Sequence, residues 1–216
     1  MSPELALSVY QLRTARQAGA MTSYDNHTIV DADLPDTMQQ GHFELQTQYI
    51  APATLRFTPL RFTGDRFVKS HVINRYLQAE AQHVEKDERG AHAINLANYS
   101  FNYKRTERPF GRVLHVYAVK PRRKAPGLFK GEITLDATTG SLRRAKGAMV
   151  KSPSFFIRKI EFEQEYDDVQ GLTVPVHLRS TAKARLVGRV VIDVVMRDYS
   201  LLAQNHEPDV LPAATD

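Results

Sequence analysis

Residues 114–199 read as seven short strand-like segments in succession, parted by turn residues, with no helical period anywhere. They cover 114–119, 128–136, 141–150, 154–166, 172–186 (long enough for two) and 188–199. In the last, Leu186, Val190, Ile192, Val194 and Met196 fall on one face, broken only by Gly188. The opposite face mixes Val187, Val191 and Val195 with Arg189, Asp193 and Arg197, so one side is dry and the other half wet. Ile160, Phe162 and Tyr166 likewise share a face against Lys159, Glu161, Glu163 and Glu165. Strands joined by tight turns make an antiparallel meander. One this long must close, curl or be covered, because a flat sheet exposes an apolar face and two edges. A curled sheet with an apolar concave face is a container.

The first hundred residues have a different rhythm. Ser2, Pro3 and Glu4 suit an N-cap and first turn, and Leu5, Val9, Leu12 and Arg16 follow at helical spacing until Gly19. Strands are predicted over 21–30, 42–50 and 54–62. In the second, Phe43, Leu45, Thr47 and Tyr49 alternate with Glu44, Gln46 and Gln48. A second helix fits 67–86, with Val72, Ile73, Tyr76, Leu77, Ala81 and Val84 as its apolar stripe and Asn74, Arg75, Gln78, Gln82 and Glu85 facing away. A strand over 99–105 leads into the meander. Asp167 and Asp168 read as turn residues of a hairpin closed by Gly171. The pattern predicts one α+β domain over 1–202, a strongly curved antiparallel sheet with two or three helices covering its concave face. A frayed tail is expected over 203–216.

Composition changes this picture little. The chain has 216 residues, 42% hydrophobic and 25% charged, with a net charge of +5. Eleven bases lie between Lys120 and Lys159, with only Glu132 and Asp136 among them up to that point. They read as a solvated sheet face or as a surface for anionic headgroups. The absence of cysteine excludes disulfides, thiol catalysis and cysteine metal sites. The eight histidines show no metal-ligand spacing, and His115 within its alternating strand reads as a satisfied core or rim residue. No nucleophile elbow, zinc-protease motif, P-loop or dinucleotide fingerprint occurs, so no enzyme activity, cofactor or metal is expected. Stacking aromatics among the bases are few, and no nucleic-acid partner is expected. The first nineteen residues lack the continuous apolar run of a signal peptide. The protein is therefore expected to be cytoplasmic, or the chain to start after a removed signal.

From Val116 to Tyr199 the residues carry a recognisable combination. Lys120-Pro-Arg-Arg-Lys124 leads to the strand and turn Gly131-Glu-Ile-Thr-Leu-Asp136, then to Leu142-Arg-Arg-Ala-Lys-Gly147. Next come Lys151-Ser-Pro-Ser-Phe-Phe-Ile-Arg-Lys159, Glu161-Phe162, Tyr166 and Gly171-Leu-Thr-Val-Pro175, with Leu172 where an aromatic is more usual. This stretch resembles outer-membrane lipoprotein-sorting-like proteins of the superfamily of LolA, LolB and the N-terminal domain of RseB. The N-terminal half agrees in element order alone. The resemblance implies a LolA-like half-barrel, periplasmic location and a hydrophobic cavity for a lipid or lipoprotein acyl chain. The alternative is a sensor or interaction domain of the sigma-factor-regulator type. Combined with the alternation above, it makes Phe43, Leu45, Tyr49, Ile160, Phe162, Val190, Ile192 and Val194 the expected lining, with Ile73, Tyr76 and Leu77 covering it. Arg122, Arg123 and Lys124 are expected in a mobile loop that touches an anionic membrane surface or a membrane protein partner. A monomer is expected.

Overall fold

The computed structural model describes residues 1–86, 90–152, 157–185 and 187–203. A helix α1 (Pro3–Ala20) precedes three strands, β1 (Met21–Leu34), β2 (Gln39–Ile50) and β3 (Thr54–Gly64). A second helical stretch follows, as α2 (Arg66–Val68), a π-helical turn (Lys69–Ile73) and α3 (Asn74–Lys86). The rest is β4 (Tyr99–Glu107), β5 (Leu114–Pro121), β6 (Phe129–Asp136), β7 (Leu142–Met149), β8 (Ile157–Val169), β9 (Leu172–Ala184) and β10 (Gly188–Ala203). All ten strands form one antiparallel sheet in the order β3-β2-β1-β10-β9-β8-β7-β6-β5-β4. β3 and β4 are the two edges, so the curved sheet stays open. The α+β architecture is the one the pattern predicts. The tail expected over 203–216 lies, past Ala203, outside the described residues, as does Leu186.

Register shows which side chains share the inner face. Phe62, Phe43, Val30, Val194, Leu178, Gln164, Ala145, Ile133, Tyr117 and Tyr103 stand opposite one another strand by strand, one per strand, across the whole sheet. At one end of this row α2, the π-turn and α3 bury Val68, Val72, Ile73 and Leu77 against Val30, Leu34, Phe43, Leu45, Val190 and Val194. The Lys69 ammonium caps this cluster 4.9 and 4.8 Å above the rings of Phe43 and Phe62. At the other end Tyr10 of α1 enters a second cluster with Tyr99, Tyr117, Val119, Phe129, Ile133 and Leu135. Both helical segments therefore cover the same face, at opposite ends of it.

Three local expectations are corrected. The buried side of α1 is Ala6 and Tyr10, continued by Arg13 and Gln17, one position round from the expected stripe; Leu5 and Leu12 are exposed. Polar ties select that side: Arg13 reaches Asp168 (3.2 Å), and Gln17 exchanges two hydrogen bonds with the backbone of Thr173 (2.7 and 2.9 Å). The segment 172–186 holds one strand, not two, because β9 pairs along most of its length with both β8 and β10. Asp168 belongs to β8 and not to the turn, which is made by Gln170 and Gly171, both at positive φ.

Candidate binding face

Every apolar residue expected to line a cavity lies on the inner side, but not all in one place. Phe43, Leu45, Ile73, Leu77, Val190 and Val194 are sealed in the cluster under α3, where Tyr76 and Ile192 are only partly buried. Tyr49 stands beyond that cluster, stacked on Tyr24 with ring centroids 5.2 Å apart. Ile160 is half-buried, and half-buried Phe162 leans edge-on against Phe129 at 5.0 Å. Between the two sealed ends runs a band of inner face from β10 across β9 to β8. There Ile192, Met196, Leu178, Ile160 and Phe162 are covered only in part. The arrangement is a trough closed at both ends by helices and open along its middle. Two depressions, of about 440 and 520 Å³, lie among residues of the opposite face. The first is lined by Glu132, Lys146, Glu163 and Arg179 and reaches Phe162 past Gly131 and Gly147, the second by Asp31, Asp33, Gln40 and His42.

One residue in the trough escapes the apolar pattern. Glu80 falls on the inward stripe of α3, at helical spacing from Ile73, Tyr76 and Leu77. Its side chain reaches solvent, yet the protein crowding round it pushes its carboxyl up to about 7. Burial pushes up the phenols of Tyr24 in β1, to about 12, Tyr76 in α3 and Tyr166 in β8, with nearby acidic groups adding to the rise.

The basic residues are more fully paired than the local sequence suggests. Arg143 bonds Asp167 (2.7 Å) and Asp168 (3.0 Å), Arg144 bonds Glu163 (3.3 Å), and Lys159 meets Glu161 (2.6 Å). The partners of Arg143 and Arg144 come from the neighbouring strand β8, and that of Lys159 from its own strand. The face is a mixed-charge lattice, whose exposed pairs each contribute little. Arg122, Arg123 and Lys124 do lie between β5 and β6, but two of them are anchored. Arg122 Nε donates to the Leu96 carbonyl (2.9 Å), and Arg123 donates to the Ala91 carbonyl (2.6 Å) and Asn98 Oδ1 (3.3 Å). The first two hold the preceding loop in place, so the expected mobile basic tip is not what forms. His115 is satisfied on both nitrogens, by Thr106 (2.9 Å) and the Met1 carbonyl (3.0 Å).

Among the described residues no group of acids and histidines could hold a metal ion, and no helix is long and apolar enough to cross a membrane. No family model and no curated protein sequence matches the chain. Among solved structures it is similar to a LolA superfamily protein from Nitrosomonas europaea, at 12% identity over 93% of this chain and 94% of that one, with a TM-score of 0.43. It is similar also to an outer-membrane lipoprotein-sorting protein domain from Vibrio parahaemolyticus, at 12% identity over 92% of each chain, with a TM-score of 0.45. A third similar structure is the MucA/MucB complex of Pseudomonas aeruginosa, at 13% identity over 88% of this chain and 93% of that one, with a TM-score of 0.28.

Proposed function

We propose that this chain is a periplasmic binding protein that holds the acyl chain of a lipid or lipoprotein along the trough of its curved sheet, without catalysing a reaction. The observation that carries this reading is the partly covered band between the sealed ends. Ile160, Phe162, Leu178, Ile192 and Met196 keep apolar surface in contact with water on a concave face, where a flexible chain can be surrounded on several sides. Each methylene withdrawn from water contributes about 0.8 kcal/mol, so eight of them supply ~6 kcal/mol before the cost of ordering the guest. Native mass spectrometry of protein purified without detergent tests the reading. A mass increment matching an amphiphile, lost on organic extraction and reduced in Phe162→Asp, is expected. Extracted protein that takes up no added amphiphile refutes it.

A second reading is favoured by the open edges. Among the described residues β3 and β4 each leave one row of backbone N–H and C=O groups without a sheet partner, which suits strand addition by a protein. Under that reading the trough binds no amphiphile, and the same experiment separates the two.

A further inference from the structure

We propose that one rim of the sheet docks on an anionic lipid surface, with Phe110 as its apolar anchor, Leu5 and Leu12 of α1 beside it, and Arg16, Arg108 and Arg112 as its cationic contacts. The dock does not rest on what the trough holds.

The β4–β5 hairpin ends in the turn Pro109–Gly111, where Phe110 (φ 49°) and Gly111 (φ 79°) both take left-handed backbone. A bulky side chain rarely adopts that conformation, and here it leaves the phenyl ring 106% exposed, as bare as in an isolated peptide. Pro109 stiffens the turn, and the Arg112 amide closes it on the Pro109 carbonyl (3.0 Å). The β4–β5, β6–β7 and β8–β9 turns all lie at this end of the strands. α1 runs along the same rim. The Tyr117 hydroxyl donates to the Pro3 carbonyl (2.6 Å) and His115 to the Met1 carbonyl (3.0 Å), and both belong to β5, the strand that leaves the tip. Further along, Val9 packs so closely on Gly140 of the β6–β7 turn that a Cβ added there would lie 2.6 Å from it. The far end of α1 is tied by Arg13 and Gln17 to Asp168 and Thr173, beside the β8–β9 turn. Leu5 and Leu12, two helical turns apart on the side next to Val9, are 51% and 59% exposed, and exposed Arg16 continues that side.

Charge and shape say what such a rim would meet. Arg16, Arg108 and Arg112 are exposed and form no ion pair among the described residues. Other bases at this end are engaged: Arg13 with Asp168, Arg105 with Glu107 and Arg143 with Asp167. Against the three unpaired bases stands Glu4 in the first turn of α1, so tip and helix face together are net cationic. Phe110 stands out from the surface and lies in no groove. A protein partner would need a pocket shaped to receive it. The headgroup layer of a bilayer takes up a protruding ring and two leucines with no matching shape, while its phosphates pair with guanidinium groups. The bases draw the rim in over about a Debye length, and the apolar groups then insert. The basic loop between β5 and β6 lies at the opposite end of the strands, as does Met38, 93% exposed in the β1–β2 turn. Each therefore supplies a control.

The test is co-sedimentation of the full chain with vesicles of phosphatidylcholine alone and of phosphatidylcholine mixed with phosphatidylglycerol. Binding to the mixed vesicles, little to the neutral ones and loss with added salt are expected. Phe110→Ser should lower the partition coefficient roughly tenfold, and Phe110→Trp should keep it. Arg108→Gln with Arg112→Gln should also lower it roughly tenfold and flatten its salt dependence. Met38→Ser and Lys124→Glu should bind as the unmodified protein does, with circular dichroism checking that every variant keeps its fold. Undiminished binding by Phe110→Ser, equal binding to neutral and mixed vesicles, or an equal loss in Met38→Ser or Lys124→Glu would overturn the dock. An unmodified protein that ignores both vesicles at low salt would overturn it too and leave the rim to a protein partner. None of these outcomes decides whether the trough holds an amphiphile, which the mass measurement reads separately.

Discussion

Asp168 ties α1 to the sheet through Arg13 and gathers Ser141 and Thr173 round the same carboxylate, so its removal should loosen that helix. The two carboxylate oxygens take four donors: Thr173 Oγ1 (2.7 Å) and Arg13 (3.2 Å) on one, Ser141 Oγ (2.6 Å) and Arg143 (3.0 Å) on the other. Burial alone would raise its pKa. The hydrogen bonds from Ser141 and Thr173 and the charges of Arg143 and Arg13 outweigh burial and hold it below the ordinary 3.8. A hydrogen bond to a charged acceptor contributes about 1.5–3 kcal/mol, but the four do not add. Arg13 is 34% exposed and can return to water, and Arg143 keeps its bond to Asp167. The loss then rests chiefly on the two hydroxyl donors, of which Ser141 is buried. Asp168→Ala should therefore cost ~2–3 kcal/mol, a fall in Tm of roughly 5–10 °C for a chain of this size. Because the native pKa is lowered, this contribution is present above about pH 4 and lost as pH falls through the native value. Wild type and variant should converge in acid. Urea melts followed by circular dichroism give the stability, and hydrogen exchange of α1 amides reports the helix. A cost under ~0.5 kcal/mol, or a full cost with α1 amides as protected as before, would refute the fastening.

Three further outcomes are expected. Leu45→Ala, at a site with 0% exposure, should cost about 2–5 kcal/mol in urea melts, whereas Leu60→Ala, at 58% exposure, should stay within ~0.5 kcal/mol. His42 should titrate above its ordinary 6.5 in an NMR pH series, because it bonds Asp31 (2.6 Å) and then Glu44 (3.4 Å). Its stabilisation is fully present below 6.5 and lost as pH rises through the native value, so Asp31→Asn should destabilise more at pH 6 than at pH 8. Arg123→Ala should raise hydrogen exchange across residues 90–98, whose carbonyl and amide groups it holds, while Lys124→Ala should not; equal exchange in both would sink the anchoring role.

Where the sequence was legible, period and partner agreed. Phe43 and Leu45 alternate with polar residues, and their face is the buried one because α3 supplies Ile73 and Leu77 opposite. Residues whose fate depends on a distant partner were not readable. Nothing near Asp168 announces that Arg13, some 155 positions away, will reach it; the pair reads as turn chemistry until the sheet brings α1 alongside β8. The turn of α1 by one position has the same origin, since Leu5 and Leu12 match the apolar period better than Arg13 and Gln17 do. Arg122 and Arg123 looked like a solvated tip because the carbonyls that bind them have no sequence signature. Glu80 could have been found: it completes the spacing from Ile73 through Tyr76, and a carboxylate on an apolar stripe marks a break in the pattern that calls for a reason.

The strand order also fixes when this protein can be whole. β1 and β10, the first and last described strands, lie side by side inside the sheet, third and fourth of its ten strands, with Val30 opposite Val194 and Asp33 opposite Val191. β4 to β10 can zip up neighbour by neighbour, and β1 to β3 can do the same, but the seam between them must wait for residues 188–203. Joining points some 160 positions apart carries a loop-closure cost that local hairpins avoid, and slow, late assembly follows from it. A chain cut before Gly188 would lose an inner strand of its sheet and not an edge. It should leave two unjoined pieces, each with a raw strand exposed to aggregation, and a folding assay on a ribosome-tethered series would show protection only once Ala203 has cleared the exit.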